Sequence, residues 1–328
     1  MSRFTTVPPA VKLQRGMLPF LTIPLTRNCN LRCRYCGYGG EAASSAVAEQ
    51  DYEWLKGAVL AARRLGIGKF RLTGGEPFLY PRIADLLRFF SDLDVSLLVN
   101  TNATLLEPHG ALLASFPDRV RFAVSLDTLI PGRFDVLVGT PGRLAAVHSG
   151  IAALRRAGRL YRLNMVVSRI NEDEVFSMID YCAKLSCGLK LLDVASVPMP
   201  YGKWDDLHVP LAAIEEKLAA GASSVKEHEY ARNFGTPCSI YSYRGIDITV
   251  RSIRNGSHYD LNGICKGCPS YPCHEGLYDI FLQPDRSIAG CRWRAAGIEQ
   301  AGGDLTEKFR RIAEVFQRAA FVPRGAGL

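Results

Sequence analysis

From Phe20 to Val194 the chain alternates short β-type runs with helix-length amphipathic runs, and few folds accommodate that rhythm. Strands are expected at Phe20–Thr26, Lys69–Leu72, Val95–Asn100, Val120–Ser125, Tyr161–Val167 and Lys190–Asp193. Helices are expected near 50–65, 81–92, 107–115, 143–157 and 172–185. In the fourth of these, Leu144, Val147, Ile151 and Leu154 recur at one-face helical spacing, and Gly158 follows as a stop. Asn171 stands as a cap before the fifth. Parallel strands linked by crossover helices satisfy such alternation. Six units fall short of a closed eight-fold barrel, so the expected fold is α/β, an open partial (β/α)6 barrel. Chemistry in barrels of this kind lies at the C-terminal ends of the strands.

After Val194 the rhythm changes. A loop at Val197–Gly202, a helix at Pro210–Ala219 and a hairpin of Ile240–Tyr243 with Asp247–Arg251 precede a cysteine-rich stretch, and Asp304–Ala319 reads as a closing amphipathic helix. The division expected is a barrel over 1–195, with an N-terminal extension at 1–19, and a small C-terminal module over 196–328.

Composition bounds the setting. With 48% hydrophobic and 22% charged residues over 328 positions, the chain reads as soluble and globular. It has no uncharged apolar run of about 18 residues, which weighs against a membrane span. Met1–Gln14 lacks the apolar core of a secretion signal, so a cytoplasmic location is expected. The net charge of +8 comes from scattered basic residues such as Arg63-Arg64 and Arg155-Arg156. These read as solvated helix surface, not as a nucleic-acid stripe.

Ten cysteines in a chain of this type point to metal or catalysis, not to disulfides. Seven fall into two groups. Cys29-x3-Cys33-x2-Cys36 follows the first strand, and glycines at Gly37, Gly39 and Gly40 suit a loop. Three thiolates on one loop can hold three corners of an iron–sulfur cubane and leave the fourth iron open; a zinc site stays open on spacing alone. The second group, Cys265-x2-Cys268-x4-Cys273-x17-Cys291, supplies four thiols and is open to the same two readings. Cys182 sits on the apolar side of a helix and reads as core.

Three further stretches fall at strand ends. Thr73-Gly-Gly-Glu-Pro77 follows the second strand, and its glycines would let a ligand approach the backbone closely. Asn100-Thr-Asn-Ala-Thr-Leu-Leu106 and Val124-Ser-Leu-Asp-Thr128 close the third and fourth. Each is equally readable as a turn or a helix cap.

Taken with its flanking residues, Cys29-Asn-Leu-Arg-Cys33-Arg-Tyr-Cys36 resembles the signature of the radical S-adenosylmethionine (radical SAM) superfamily. Over roughly residues 20–195 the chain is similar to one of its families, the GTP 3′,8-cyclases of molybdenum cofactor biosynthesis. Arg71-Leu-Thr-Gly-Gly-Glu-Pro, Thr101-Asn102, Val124-Ser-Leu-Asp and Arg162-Leu-Asn-Met-Val-Val carry that similarity. The resemblance implies a [4Fe–4S] cluster on Cys29, Cys33 and Cys36, with SAM on its open iron. It places Tyr35, Gly74, Gly75, Glu76 and Ser125 on SAM, and Arg71, Thr101 and Arg162 on the substrate. It also implies an auxiliary [4Fe–4S] cluster of the twitch or SPASM kind, with Cys265, Cys268 and Cys291 at the places of the cyclases' three ligands.

Two departures bear on substrate. The cyclases have three auxiliary cysteines, and Cys273 is an extra thiol that would ligate the second cluster fully. Thr22, Asp279 and Phe281 stand where the cyclases place arginines on their triphosphate, and the tail Arg324–Leu328 lacks their terminal glycine pair. The expected function is therefore an enzyme that cleaves SAM reductively and abstracts hydrogen from a small polar substrate, sugar- or nucleoside-like. Decarboxylation, dehydration, oxidation or rearrangement would follow, as in enzymes of the cytosylglucuronate decarboxylase type. Such an enzyme needs an electron donor such as flavodoxin or ferredoxin. The alternatives are a SPASM/twitch peptide-modifying maturase, a non-catalytic protein stabilised by zinc or iron–sulfur, and a basic RNA-modifying enzyme. Asp279, Tyr278, His274 and Glu275 are the groups near the second cysteine set that could handle protons.

Overall fold

The structure is a computed structural model. It describes residues 19–37, 49–196, 199, 201–228, 237–252, 255–271, 273, 275–292, 298–300 and 302–322.

The expected rhythm is present. Strands β1 (Leu21–Pro24), β2 (Lys69–Thr73), β3 (Ser96–Thr101), β4 (Val120–Ser125), β5 (Leu160–Val167) and β6 (Gly188–Asp193) pair in parallel and in sequence order. The helices between them are α1 (Tyr52–Arg64), α2 (Ile83–Asp92), α3 (Gly110–Ala114), α4 (Pro131–Val138), α5 (Leu144–Arg156) and α6 (Val175–Leu185). Alternation along the strands decides which side chains meet the helices and which face the barrel interior. On β2, Phe70 and Leu72 are buried against the helices, while Arg71 and Thr73 face inward. On β5, Leu163, Met165 and Val167 are buried, and Arg162, Asn164 and Val166 take the inner face. The helices answer with Leu55, Ala58, Val59 and Ala62 on α1, and Ile83, Leu86, Leu87 and Phe90 on α2. Asp51 caps α1 by accepting the Trp54 N–H at 2.8 Å.

Helix α4 was not among the expected elements, although its punctuation is in the sequence. Pro131 opens it, and Gly139 ends it in the left-handed region at φ 61°. The helix matters to the site, because its last two carbonyls, of Leu137 and Val138, hold the first cysteine loop.

Most strands of the second half join the first sheet. After α7 (Trp204–Leu207) and α8 (Ala212–Gly221), strands β7 (Ser224–His228), β8 (Cys238–Tyr243) and β9 (Ile246–Arg251) join the edge of β6, with β9 parallel to it. The turn Arg244-Gly245 has positive φ at both residues, 51° and 78°, the geometry that matches a tight hairpin. Beyond the short β10 (Ser257–Tyr259), strand β11 (Ile280–Leu282) pairs in parallel with β1 on the opposite edge. β12 (Ile288–Ala289) and β13 (Ile298–Glu299) extend that edge, giving a twelve-stranded sheet in the order β13-β12-β11-β1-β2-β3-β4-β5-β6-β9-β8-β7. The closing helix α9 (Leu305–Arg318) buries Phe309, Ile312, Val315 and Phe316, and β14 (Ala320–Val322) pairs with β10. Hydrogen bonding thus runs across the expected boundary at 195/196.

Candidate active site

The first cysteine loop lies over the C-terminal ends of the strands. Its backbone is fixed from two sides. The Arg32 N–H donates to the Val138 carbonyl at 2.8 Å and the Arg34 N–H to the Leu137 carbonyl at 2.9 Å. From the other side, the Gly75 N–H reaches the Thr26 carbonyl at 2.7 Å and the Glu76 N–H the Asn28 carbonyl at 2.8 Å. That second contact explains the paired glycines. A Cβ at Gly74, whose φ is 124°, would lie 2.4 Å from the Thr26 carbonyl oxygen, and one at Gly75 would lie 2.0 Å from that of Asn28. The sequence suggested that these glycines admit a ligand, and the structure shows that they first admit the cysteine loop.

Cys29 is exposed, and Cys33 and Cys36 are half-buried. The three thiols feel one another's charge. Burial pushes Cys29 up to about 11, partly offset by the Leu31 N–H at 3.4 Å from its sulfur, and pushes Cys33 well above its ordinary value. Bare thiols of this kind stay protonated until a metal displaces the proton. Among the described residues, no three His, Cys, Asp or Glu side chains converge tightly enough to hold one ion. A cubane takes each thiolate on a separate iron, and the soft, all-sulfur donor set fits an iron–sulfur cluster.

The site residues beneath the loop hold it more than they line it. Glu76 is 1% exposed, and its carboxylate accepts from Thr101 Oγ1 at 2.7 Å, the Asn102 N–H at 2.8 Å and the Phe78 N–H at 3.1 Å. Burial raises its pKa against those three bonds. Thr101, expected on the substrate, is itself buried. Its hydroxyl donates to Glu76 and accepts from the Ala103 N–H at 3.0 Å, so it braces the turn instead of offering a free group. Tyr35 is tied down likewise. Its hydroxyl donates to Asp127 at 2.5 Å, and Asp127 also accepts the Val166 N–H at 2.8 Å. Burial lifts Asp127 to about 6, with both bonds pulling the other way.

Sequence reasoning met Asp127, Asn102 and Thr104 only as members of polar runs at strand mouths that could bond a ligand, and did not foresee the Asn30–Asn102–Thr104 chain that reaches the first thiol. Asn102 donates to Asn30 at 2.9 Å and lies 4.0 Å from the Cys29 sulfur, and Asn30 donates to Thr104 at 2.8 Å. Ala103, between Asn102 and Thr104, is held at φ 61°, an unfavourable conformation for a residue with a Cβ. Ser125 is half-buried at the mouth of β4, and its hydroxyl has no partner among the described residues.

Inside the barrel the charges are paired unevenly. Arg71 makes a close ion pair with Asp279, which also accepts from Thr22 Oγ1 at 2.5 Å, and its guanidinium stacks 4.5 Å from the Phe20 ring centre. Thr22 and Asp279 thus bind Arg71 from within. Arg162 donates to Asn164 at 3.0 Å. On β9, Arg251 lies 3.5 Å from Glu275 and 5.3 Å from the Tyr278 ring centre. Burial raises Glu275, but Arg251 and Arg292 outweigh it and hold the carboxyl below its usual range. Asp279, Tyr278 and Glu275 are therefore engaged in this network, and His274 lies outside the described residues.

Cys265, Cys268, Cys273 and Cys291 are all half-buried. The Cys265 thiol is raised to about 11, first by burial and further by the charges of Cys273 and Cys291. The Cys268 N–H donates to the Cys265 carbonyl at 3.2 Å, completing the turn. Cys273 is anchored by Tyr259, whose hydroxyl donates to its carbonyl at 2.5 Å, and by the Gly276 N–H at 3.3 Å from its sulfur.

A three-thiol loop over the strand ends of an open α/β barrel defines a class, and comparison with known proteins agrees. Residues 23–182 match the family model described as Radical SAM superfamily. The chain belongs to this superfamily and is an enzyme of it, whose members use a [4Fe–4S] cluster and SAM. More particularly, it is a homologue of the GTP 3′,8-cyclases: it is 32% identical over 220 residues to the probable GTP 3′,8-cyclase of Pyrococcus abyssi, spanning 65% of this chain and 69% of that one. Two solved structures share the fold. Streptococcus suis SuiB bound to its precursor peptide SuiA superposes with a TM-score of 0.62 at 17% identity, over 92% of this chain and 65% of that chain, just under two thirds of its length. Native anSMEcpe with bound AdoMet superposes with a TM-score of 0.60 at 15% identity, over 92% of this chain and 81% of that chain. Among the described residues no helix is long and apolar enough to cross a membrane.

Proposed function

We propose that this enzyme acts on a small polar substrate, sugar- or nucleoside-like and not GTP. The observation that carries the reading is the pairing of Arg71 with Asp279 and Thr22 at the barrel wall. A triphosphate needs several unopposed cations, and here an acid occupies the wall where the cyclases place an arginine. Cys29, Cys33 and Cys36 would hold the cluster. The Gly74-Gly75-Glu76 turn, Tyr35 and Ser125 would border SAM, with Glu76 and Tyr35 acting through the loops they fix. When bound, this cofactor pair supplies a 5′-deoxyadenosyl radical that abstracts a hydrogen atom from the substrate. The chain's part is to orient the substrate by its cations and to exclude water.

A second [4Fe–4S] cluster on Cys265, Cys268, Cys273 and Cys291 completes the proposal. The four thiols of Cys265-x2-Cys268-x4-Cys273-x17-Cys291 are enough for full ligation by protein. Electrons would come from a flavodoxin- or ferredoxin-like donor, and decarboxylation, dehydration, oxidation or rearrangement would follow abstraction. A peptide substrate is the second reading, favoured by the likeness to SuiB reaching 92% of this chain. The test is anaerobic reconstitution with iron and sulfide, then SAM and dithionite. About eight irons per chain are expected from two cubanes, with 5′-deoxyadenosine formed and its rate unaffected by GTP. Failure to cleave SAM would overturn the proposal; stimulation by GTP with a cyclised product would overturn its substrate half.

A further inference from the structure

Asp127 is a buried carboxylate to which the proposed chemistry gives no task. It lies two residues beyond β4 and is 2% exposed. Both of its oxygens accept: Oδ2 takes the Tyr35 hydroxyl at 2.5 Å and Oδ1 the Val166 N–H at 2.8 Å. The shorter bond falls in the range of a hydroxyl on an ionised carboxylate. The backbone behind it is pinned as well. Asn171, expected as a helix cap, makes no cap bond and instead directs its amide to the Asp127 carbonyl at 2.6 Å and the Val166 carbonyl at 2.9 Å. Its own Oδ1 accepts the Ser168 N–H at 2.7 Å, and both residues are fully buried. On the other side, Tyr35 stands inside the turn that the Cys36 N–H closes on the Cys33 carbonyl at 3.0 Å. One tyrosine side chain therefore links a fixed, buried acid to the turn that carries two of the three thiols.

We propose that Asp127 is a positioning residue for the first cluster: it holds the Cys33–Cys36 turn through Tyr35 and, by its negative charge, keeps the cluster's reduction potential low. This rests on the assignment of a [4Fe–4S] cluster to Cys29, Cys33 and Cys36 and is independent of the substrate. Reduction adds an electron to a site already rich in thiolate charge, and local charge and burial are among the levers that set such potentials. An acid held at both oxygens and at its carbonyl cannot turn away from that electron. Among the described residues no Lys, Arg or His pairs with Asp127 to cancel its charge, and buried surroundings screen it less than water would. After burial, Asp127 does more to raise the Cys33 thiol than Cys36 or Cys29 does. The charge makes the electron harder to load and easier to pass on.

The test is an oxygen-free, dye-mediated potentiometric titration of the reconstituted holoenzyme, read by electron paramagnetic resonance. The first cluster is recognised as the one whose signal changes when SAM is added to a parallel sample. Asp127→Asn is the deciding variant. Its amide oxygen can accept the Val166 N–H and its NH2 group can donate to the Tyr35 oxygen, so the shape stays and the charge goes. It is expected to move the first cluster's reduction equilibrium at least about tenfold toward the reduced form, about 59 mV upward for one electron. Tyr35→Phe keeps the charge and loses the tether, so iron retention should fall while the potential of the loaded fraction stays within about threefold of wild type. An unmoved potential in Asp127→Asn would overturn the inference. So would an equal rise in Tyr35→Phe, because loosened packing would then suffice, and full iron retention in Tyr35→Phe would overturn the positioning half. If Asp127→Asn takes up no iron, Asp127→Ser, smaller and equally uncharged, is read instead; an unmoved potential there, or no iron in either, overturns the inference. Wild-type protein without a SAM-responsive cluster sinks the reading of the site itself, whereas a SAM-responsive cluster whose potential ignores Asp127 sinks only this inference.

Discussion

Gly75 separates packing of the cysteine loop from contact with a ligand. In Gly75→Ala the new methyl would start 2.0 Å from the Asn28 carbonyl oxygen, where real contacts stay above 3.0 Å. Asn28 must then retreat by about 1 Å, and Cys29, the first cluster ligand, is the next residue. The bonds from Gly75 to Thr26 and from Glu76 to Asn28 weaken with it, each worth about 1 kcal/mol. A displacement of about 1 Å at a reacting centre costs on the order of 100-fold in rate. Gly57, in the middle of α1, has open space for 4 Å around the point a Cβ would occupy, so Gly57→Ala is the control and should stabilise by about 0.4–1 kcal/mol. The assay is iron per chain after anaerobic reconstitution, followed by 5′-deoxyadenosine formed from SAM and dithionite. Gly75→Ala is expected to lose iron, or to retain it with at least about 100-fold slower cleavage, while Gly57→Ala matches wild type. Full iron and an unchanged rate in Gly75→Ala would refute the argument that these glycines exist to seat the loop.

The remaining expectations are shorter. Glu76→Gln puts an amide where three donors point, and leaving one unmatched should destabilise the fold by about 1–3 kcal/mol in a urea melt; an unchanged midpoint would argue against the bracing role. Cys273→Ala should lower iron retention at the second cysteine group, read as iron per chain and as the loss of one set of cluster signals; the full complement with an unaltered spectrum would remove Cys273 from the ligand set.

The sequence revealed the barrel because strand burial has a simple period, and Phe70/Leu72 or Leu163/Met165/Val167 announce their faces by themselves. It revealed the cysteine loop because three thiols within eight residues have few other uses. It could not show that the strands around Cys238–Arg251 and Ile280–Leu282 would complete the same sheet, since pairing across such separations leaves no local pattern. Glu76, Thr101 and Tyr35 were found as motif members, but their orientation depends on partners 25 and 92 residues away, Thr101 against Glu76 and Asp127 opposite Tyr35.

The two outer seams of the parallel core are each closed by a strand from the last third of the chain, β9 against β6 and β11 against β1. A ribosome releasing this protein therefore exposes a curved ribbon with both margins bare until Leu282 has emerged. Unpaired margins recruit other strands, so residues 1–195 made alone should self-associate.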